Sequence, residues 1–124
     1  MKRRILVVDD DQDHAESVAD LLTLHGHEVD MAYSGEEAVR RSALWAYDVA
    51  LMDVKLPGMS GVDALLAIRK ERKDAQVIMM TGFSVDELLT QALDNGARGV
   101  LHKPLALPEL LKAIRGIDAP EKAA

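Results

Sequence analysis

The sequence predicts an α/β protein in which five strand-then-helix units form one parallel, doubly wound sheet. Five short apolar runs are each followed by a segment with helical periodicity. The runs have the length of buried strands and lack the alternation of apolar and polar residues that marks half-exposed strands. In such a fold the ligand site lies outside the carboxyl ends of the strands, so those positions are where function is sought.

The strand predictions follow the apolar runs in chain order. The predicted strands are Ile5–Val8, Val29–Ala32, Val49–Met52, Val77–Met80 and Gly99–Leu101. The second run is interrupted by the polar side chain of Asp30, and we therefore expect it to form an edge strand.

The helix predictions rest on apolar spacing and on residues typical of helix ends. The predicted helices are His14–His25, Ser34–Leu44, Ser60–Lys70, Ser84–Asn95 and Leu107–Arg115. The fourth has apolar residues at the i, i+3, i+4, i+7 spacing of an amphipathic helix. The fifth carries Pro108 in its first turn, where proline is tolerated.

Capping residues mark several of these helix ends. Ser34 with Glu37, and Ser84 with Glu87, have the spacing of a capping box. Asp10, Asp11 or Asp13 is expected to cap the first helix. Three glycines that follow helical segments are expected to adopt a left-handed conformation, namely Gly26, Gly96 and Gly116.

Composition excludes several classes of protein. The 124 residues, 48% of them hydrophobic, suffice for one domain with its own core. The absence of cysteine excludes thiol catalysis and thiolate zinc sites. A formal charge of −6 and only 3% aromatic residues argue against direct nucleic-acid binding. Because no apolar run suits a membrane helix or a signal peptide, we expect a cytoplasmic protein without membrane contact.

Carboxylates gather at two predicted strand ends. Asp9 and Asp10 follow the first strand, and Asp53 follows the third. Like charges on neighbouring strand ends repel each other, and a hard divalent cation removes that conflict. Mg²⁺ prefers carboxylate, water and phosphate oxygens as ligands, so the pattern predicts a magnesium site at this edge.

A hydroxyl and an amine complete the same edge. Thr81 follows the fourth strand, and Lys103 follows the fifth and precedes Pro104. A hydroxyl and an ammonium opposite a carboxylate–magnesium cluster suit the oxygens of a phosphoryl group. Together these residues indicate phosphoryl transfer to an aspartate, which is nucleophilic catalysis by a carboxylate.

Four segments carry a family resemblance. The segments at residues 5–11, 50–61, 79–82 and 99–104 (ILVVDDD, ALMDVKLPGMSG, MMTG and GVLHKP) resemble the receiver domain of two-component response regulators. The resemblance covers about residues 3–117 and implies a CheY-like, flavodoxin-like sheet with strand order 2-1-3-4-5. It also implies a phosphoprotein switch and not a metabolic enzyme.

The resemblance implies a role for each acidic residue at the site. Asp53 matches the phosphoacceptor, which takes a phosphoryl group from the phosphohistidine of a sensor kinase. Asp10 matches a direct Mg²⁺ ligand, and Asp9 a companion that acts through water. The backbone carbonyl of Lys55 matches the last protein ligand of the metal.

Two further roles concern the phosphoryl group itself. Thr81 matches the hydroxyl that moves toward it on activation, and Lys103 matches the lysine that binds it, with a cis proline at Pro104. The sequence departs from the family pattern at Val100, where Tyr or Phe is frequent. We therefore expect repacking around Thr81 and Phe83 to replace an aromatic switch.

The resemblance implies partners as well. They are a sensor histidine kinase or phosphotransfer protein, and a homodimer or an output domain contacted through the helix 4/strand 5/helix 5 face. Residues 1–117 are expected to form the receiver domain, and 118–124 a tail or the start of a linker.

Two other functions stay open at this point. One is a phosphohydrolase with an aspartyl-phosphate intermediate, which would want an acid shortly after Asp53, where Val54 and Lys55 stand. The other is a flavin carrier of similar fold, which would want a phosphate-binding loop after the first strand in place of an acidic run.

Overall fold

The computed structural model describes residues 2–82 and 86–117, in which strands and helices alternate along the chain. The elements are β1 (Arg4–Val8), α1 (Gln12–Leu24), β2 (Glu28–Ala32), α2 (Gly35–Leu44), β3 (Val49–Asp53), α3 (Gly61–Glu71), β4 (Val77–Thr81), α4 (Asp86–Asp94), β5 (Gly99–His102) and α5 (Leu107–Gly116). Each of the five predicted strand-and-helix pairs is therefore present.

The strands form one parallel sheet in the order β2-β1-β3-β4-β5. The order and the doubly wound architecture are as expected, and β2 is an edge strand. The register sets Val8 beside Ala32 and Met52, and Thr81 beside His102. The carboxyl ends of the four strands β1, β3, β4 and β5 therefore meet at one edge of the sheet.

The core consists of two layers, one on each face of the sheet. In β1, Leu6 and Val8 pack toward helices α2, α3 and α4, whereas Ile5 and Val7 pack toward α1 and α5. All four side chains are fully buried. A strand covered on both faces needs apolar residues at every position, which is why the runs in the sequence lack alternation.

Helix starts are set by side chains that accept backbone N–H bonds. Asp11 caps α1 by accepting from His14 N at 3.2 Å, so α1 begins at Gln12, two residues before the predicted start. Ser34 caps α2 through Glu37 N at 3.1 Å, as predicted. The return half of that capping box differs, because the Glu37 carboxylate accepts from Tyr33 N at 2.8 Å, one residue earlier than expected.

Helix ends agree with the glycine predictions at two positions of three. Gly26 and Gly96 have positive φ values of 90° and 97°. The prediction for Gly116 was wrong, because α5 includes this residue and Ile117 continues the turn. The Ser84 cap of the fourth helix lies outside the described residues.

Among the helices described, none is both long enough and apolar enough to span a bilayer.

Candidate functional site

The site lies where the carboxyl ends of β1, β3, β4 and β5 converge. Asp9 follows β1 directly, Asp53 and Thr81 are the last residues of β3 and β4, and Lys103 follows β5. Lys103 N donates to Thr81 O at 2.7 Å, which ties the end of β5 to the end of β4. The sheet therefore brings together side chains that are up to 94 residues apart in the chain.

Lys103 joins the two buried carboxylates. Its Nζ lies 2.8 Å from Asp9 Oδ2 and 2.8 Å from Asp53 Oδ2. Asp9 is fully buried, Asp53 is 7% exposed and the Lys103 side chain is 21% exposed. One ammonium group thus neutralises part of the charge of two carboxylates that face each other.

The donor set suits a divalent cation. Carboxylate oxygens of Asp9, Asp10 and Asp53 all lie within 4.8 Å of one another, and Asp10 is the exposed member of the three. Three carboxylates against one ammonium leave an excess of negative charge, and all three offer the hard oxygen ligands that Mg²⁺ prefers. The residues present therefore fit the ion that the sequence predicts.

The two buried carboxylates differ in how well their charge is stabilised. Burial raises the pKa of Asp9, but hydrogen bonds from Lys103, the Asp11 amide and His14 outweigh it and bring the pKa below its ordinary value. Burial also raises the pKa of Asp53, and the charge of Asp9 adds to this, so that it stays above its ordinary value despite Lys103. Burial lowers the pKa of Lys103, but its two carboxylate partners bring it above its ordinary value.

This asymmetry separates the two acids chemically. Asp9 is the carboxylate that the protein holds ionised, through three donors. Asp53 carries the charge that the protein stabilises less, so it gains more from a cation or an electrophile placed beside it.

The segment after β3 is closely packed against Asp53. Lys55 N donates to Asp53 Oδ1 at 3.2 Å, and Gly61 N donates to Val54 O at 3.0 Å. A side chain at position 61 would collide with the backbone carbonyl of Asp53. Gly58 has a positive φ of 73°, which only glycine adopts readily. The loop at residues 54–60 thus returns to the backbone of Asp53 before α3 begins.

The remaining predicted residues occupy the same edge. Thr81 is 2% exposed, and the bond between Lys103 and Pro104 is cis. Val100, where the family often has an aromatic residue, packs against the core layer under α2, α3 and α4. Phe83 lies outside the described residues.

Sequence reasoning missed one residue at the site. The four histidines of the sequence lack metal-ligand spacing and predict no site, but His14 Nδ1 lies 2.5 Å from Asp9 Oδ2. The signal that points to it is the capping residue Asp11, which places His14 three positions later in the first turn of α1. That turn faces the end of β1.

Comparison with known proteins gives a consistent result. The family model described as the response regulator receiver domain matches residues 5–115. A response regulator receiver protein of Anaeromyxobacter sp. is 35% identical over 109 residues, which cover 88% of this chain and 46% of that protein. The chain spans about half the length of the curated relatives it matches.

Solved structures resemble the whole described fold. A CheY-like receiver domain protein from Methanospirillum hungatei has a TM-score of 0.90 and 33% identity over 95% of each chain. Response regulator TrrA from Thermotoga maritima, in complex with Mg²⁺-BeF, has a TM-score of 0.83 and 33% identity over 93% of this chain and 98% of its own.

Proposed function

Because the chain belongs to the response regulator receiver domain family, we propose that it is a switch controlled by phosphorylation of Asp53. The observation that carries the proposal is the Lys103 ammonium, 2.8 Å from the oxygens of both Asp9 and Asp53. This cation stands where the charge of an incoming phosphoryl group must be balanced.

The proposed reaction is phosphoryl transfer from the phosphohistidine of a sensor kinase or phosphotransfer protein. A carboxylate oxygen of Asp53 attacks phosphorus as the P–N bond breaks, and the electron pair of that bond leaves with the imidazole. The raised pKa of Asp53 supports this assignment, because its poorly stabilised carboxylate lowers its free energy by bonding to phosphorus.

Asp10, Asp53 and the Lys55 carbonyl are the proposed direct ligands of Mg²⁺, with Asp9 acting through water. When bound, the ion supplies positive charge that stabilises the oxygens of the transferring group. Asp9 is fixed by hydrogen bonds within the protein and Asp10 is exposed, which suits an indirect and a direct ligand, respectively.

Lys103 and Thr81 are the proposed groups that contact the phosphoryl oxygens. Lys103 already contacts Asp53 Oδ2, so a small movement places its ammonium on an oxygen attached to phosphorus. Thr81 lies one residue beyond Met80, the register partner of Asp53, and we assign its hydroxyl, which can donate a hydrogen bond, to a second phosphoryl oxygen. A hydrogen bond formed only with the phosphorylated acceptor favours one of two conformations of β4 and the following segment.

The proposed output is a change in binding preference at the α4, β5 and α5 face. β5 is an edge strand beside β4, so a shift at Thr81 reaches this face through one strand pair. Val100 has no ring to move inward, and we assign the change to repacking around Thr81. The face would contact a second copy or an output domain.

Response regulators work with histidine kinases and output domains, and the partners proposed here are of these kinds. We assign residues 1–117 to the receiver unit and 118–124 to a tail or linker. The proposed setting is the cytoplasm, with neither membrane contact nor direct nucleic-acid binding by this domain.

Because Val54 and Lys55 follow Asp53, with no acid to protonate a leaving group, we favour a switch over a phosphohydrolase.

Incubation with Mg²⁺ and acetyl phosphate, followed by intact-mass measurement, tests the proposal. The wild type should gain one phosphoryl group, and Asp53→Asn should gain none. Asp20→Asn, a change at an exposed aspartate on α1, is the matched control and should label like the wild type. Equal labelling of Asp53→Asn would overturn the assignment of the acceptor.

A further inference from the structure

His14 contacts the buried acid of the site from the first turn of α1. Its Nδ1 lies 2.5 Å from Asp9 Oδ2, and its side chain is 24% exposed while that of Asp9 is 1% exposed. The Asp11 carboxylate accepts a hydrogen bond from His14 N, which fixes the backbone of His14 in the first turn of the helix.

The acceptor Asp9 determines which atom of the His14–Asp9 contact carries the hydrogen. The Asp9 carboxylate accepts hydrogen bonds from the Lys103 ammonium and the Asp11 amide, and an ionised carboxylate has no hydrogen to donate. His14 must therefore donate through Nδ1–H. Asp9 Oδ1 accepts from Asp11 N at 3.0 Å, and Oδ2 accepts from both His14 and Lys103.

Lys103 has two roles that compete with each other. The ammonium group is shared by Asp9 and Asp53, but phosphoryl transfer needs it at the phosphoryl oxygens. If Lys103 leaves Asp9, a fully buried carboxylate loses its charged partner, and a buried charge without a partner is costly. The more the charge of Asp9 is stabilised by Lys103 alone, the more slowly the Lys103 ammonium moves from Asp9 to the phosphoryl group.

We propose that His14 is a positioning residue for phosphoryl transfer, which holds Asp9 through Nδ1–H and so frees Lys103 to bind the phosphoryl group on Asp53. The inference rests on the proposed function and adds a residue to it. Two donors remain on Asp9 after Lys103 moves, namely His14 and the amide of Asp11.

Three substitutions separate the donor from the size and shape of the ring. Asn places an amide N–H at the same distance along the side chain as Nδ1, Gln places it one bond further out, and Leu has similar bulk without a donor. We expect His14→Leu and His14→Gln to accept phosphate about tenfold more slowly than the wild type, since hydrogen bonds to charged groups have about this effect. His14→Asn should recover most of the rate.

The experiment measures the initial rate of phosphorylation by acetyl phosphate at saturating Mg²⁺, by intact mass, for the wild type and the three variants. Rates for His14→Leu equal to that of the wild type, or a slow His14→Asn, would overturn the inference while leaving the proposed function intact. A wild type that takes up no phosphate would instead overturn the proposed function.

A second measurement needs no phosphorylation. Urea unfolding without metal, applied to His14→Leu, Lys103→Met and the double variant, tests whether the two donors replace one another on Asp9. The double variant should lose more stability than the two single variants together, because only it leaves Asp9 Oδ2 without either donor. Additive losses would contradict the inference even if labelling slowed.

Discussion

Gly61 packs directly against the backbone carbonyl of Asp53. A Cβ built at position 61 would lie 2.9 Å from the Asp53 carbonyl carbon and would overlap its oxygen. The first residue of α3 therefore touches the backbone of the residue assigned as phosphoacceptor, and the absence of a side chain there is a condition for the geometry of the site.

Gly61→Ala should accordingly disturb both stability and phosphorylation. Separating two backbone segments costs about 1–3 kcal/mol, as overpacking does, and it displaces the Asp53 carboxylate. We expect a lower midpoint of urea unfolding and slower labelling by acetyl phosphate. Gly99→Ala is the matched control, because no heavy atom lies within 4 Å of a Cβ there. A Gly61→Ala protein with wild-type stability and rate would exclude the proposed constraint.

Gly116→Ala should stabilise the protein. Gly116 is the last residue of α5, its φ is not positive, and a Cβ there meets open space. Alanine loses less conformational freedom than glycine on folding, which raises the free energy of unfolding by about 0.4–1 kcal/mol. Thermal and urea unfolding measure the change. A decrease in stability would mean that position 116 requires the left-handed conformation after all.

Asp53→Asn should stabilise the metal-free protein at neutral pH. The folded-state pKa of Asp53 is raised by burial and by Asp9. A group with a raised pKa contributes stability below its unfolded-state pKa and loses it as the pH rises through the folded-state pKa. The ionised carboxylate is thus unfavourable at pH 7, and we expect its removal to raise the free energy of unfolding.

The pH dependence of this stabilisation shows whether charge or packing causes it. The difference in free energy of unfolding between Asp53→Asn and the wild type should grow as the pH rises from acid to neutral. Asp20→Asn, which removes an exposed carboxylate, should show no such growth. A difference that is constant with pH would assign the gain to packing and not to charge.

Tyr47 should ionise at a higher pH than an ordinary tyrosine. Burial and a 2.7 Å hydrogen bond to Asp30 raise its pKa to about 12. In a Tyr33→Phe background, where Tyr47 is the remaining tyrosine, near-ultraviolet absorbance should report ionisation at that pH. Asp30→Asn should lower the midpoint, because it removes the negative charge beside the phenolate. An unchanged midpoint would mean that Asp30 does not contribute.

Much of the fold was predictable because local signals and tertiary structure agree. Strands such as Ile5–Val8 are apolar at every position, and a sheet covered on both faces buries every position. Gly26 and Gly96 were predictable because their conformation depends on the adjacent helix end. Gly116 was not, since it is itself helical and Ile117 after it keeps a right-handed helical conformation.

The site was predictable only in part. Parallel strands place their carboxyl ends together, so Asp9, Asp53 and Lys103 could be grouped, although the strand order came from the family resemblance. The contact between His14 and Asp9 depends on where α1 starts, which is set by the choice among three candidate caps. Once Asp11 is known to be the cap, the position of His14 in the first turn of α1 follows.

Chemical trapping of the phosphorylated residue tests the central claim most directly. After labelling with acetyl phosphate and Mg²⁺, borohydride reduction converts an aspartyl phosphate to homoserine, and peptide mass spectrometry locates it. We predict homoserine at position 53 alone, and none when the metal is removed with a chelator. Homoserine at position 9 or 10, or equal conversion without the metal, would contradict the assignment of Asp53 as the acceptor in a magnesium site.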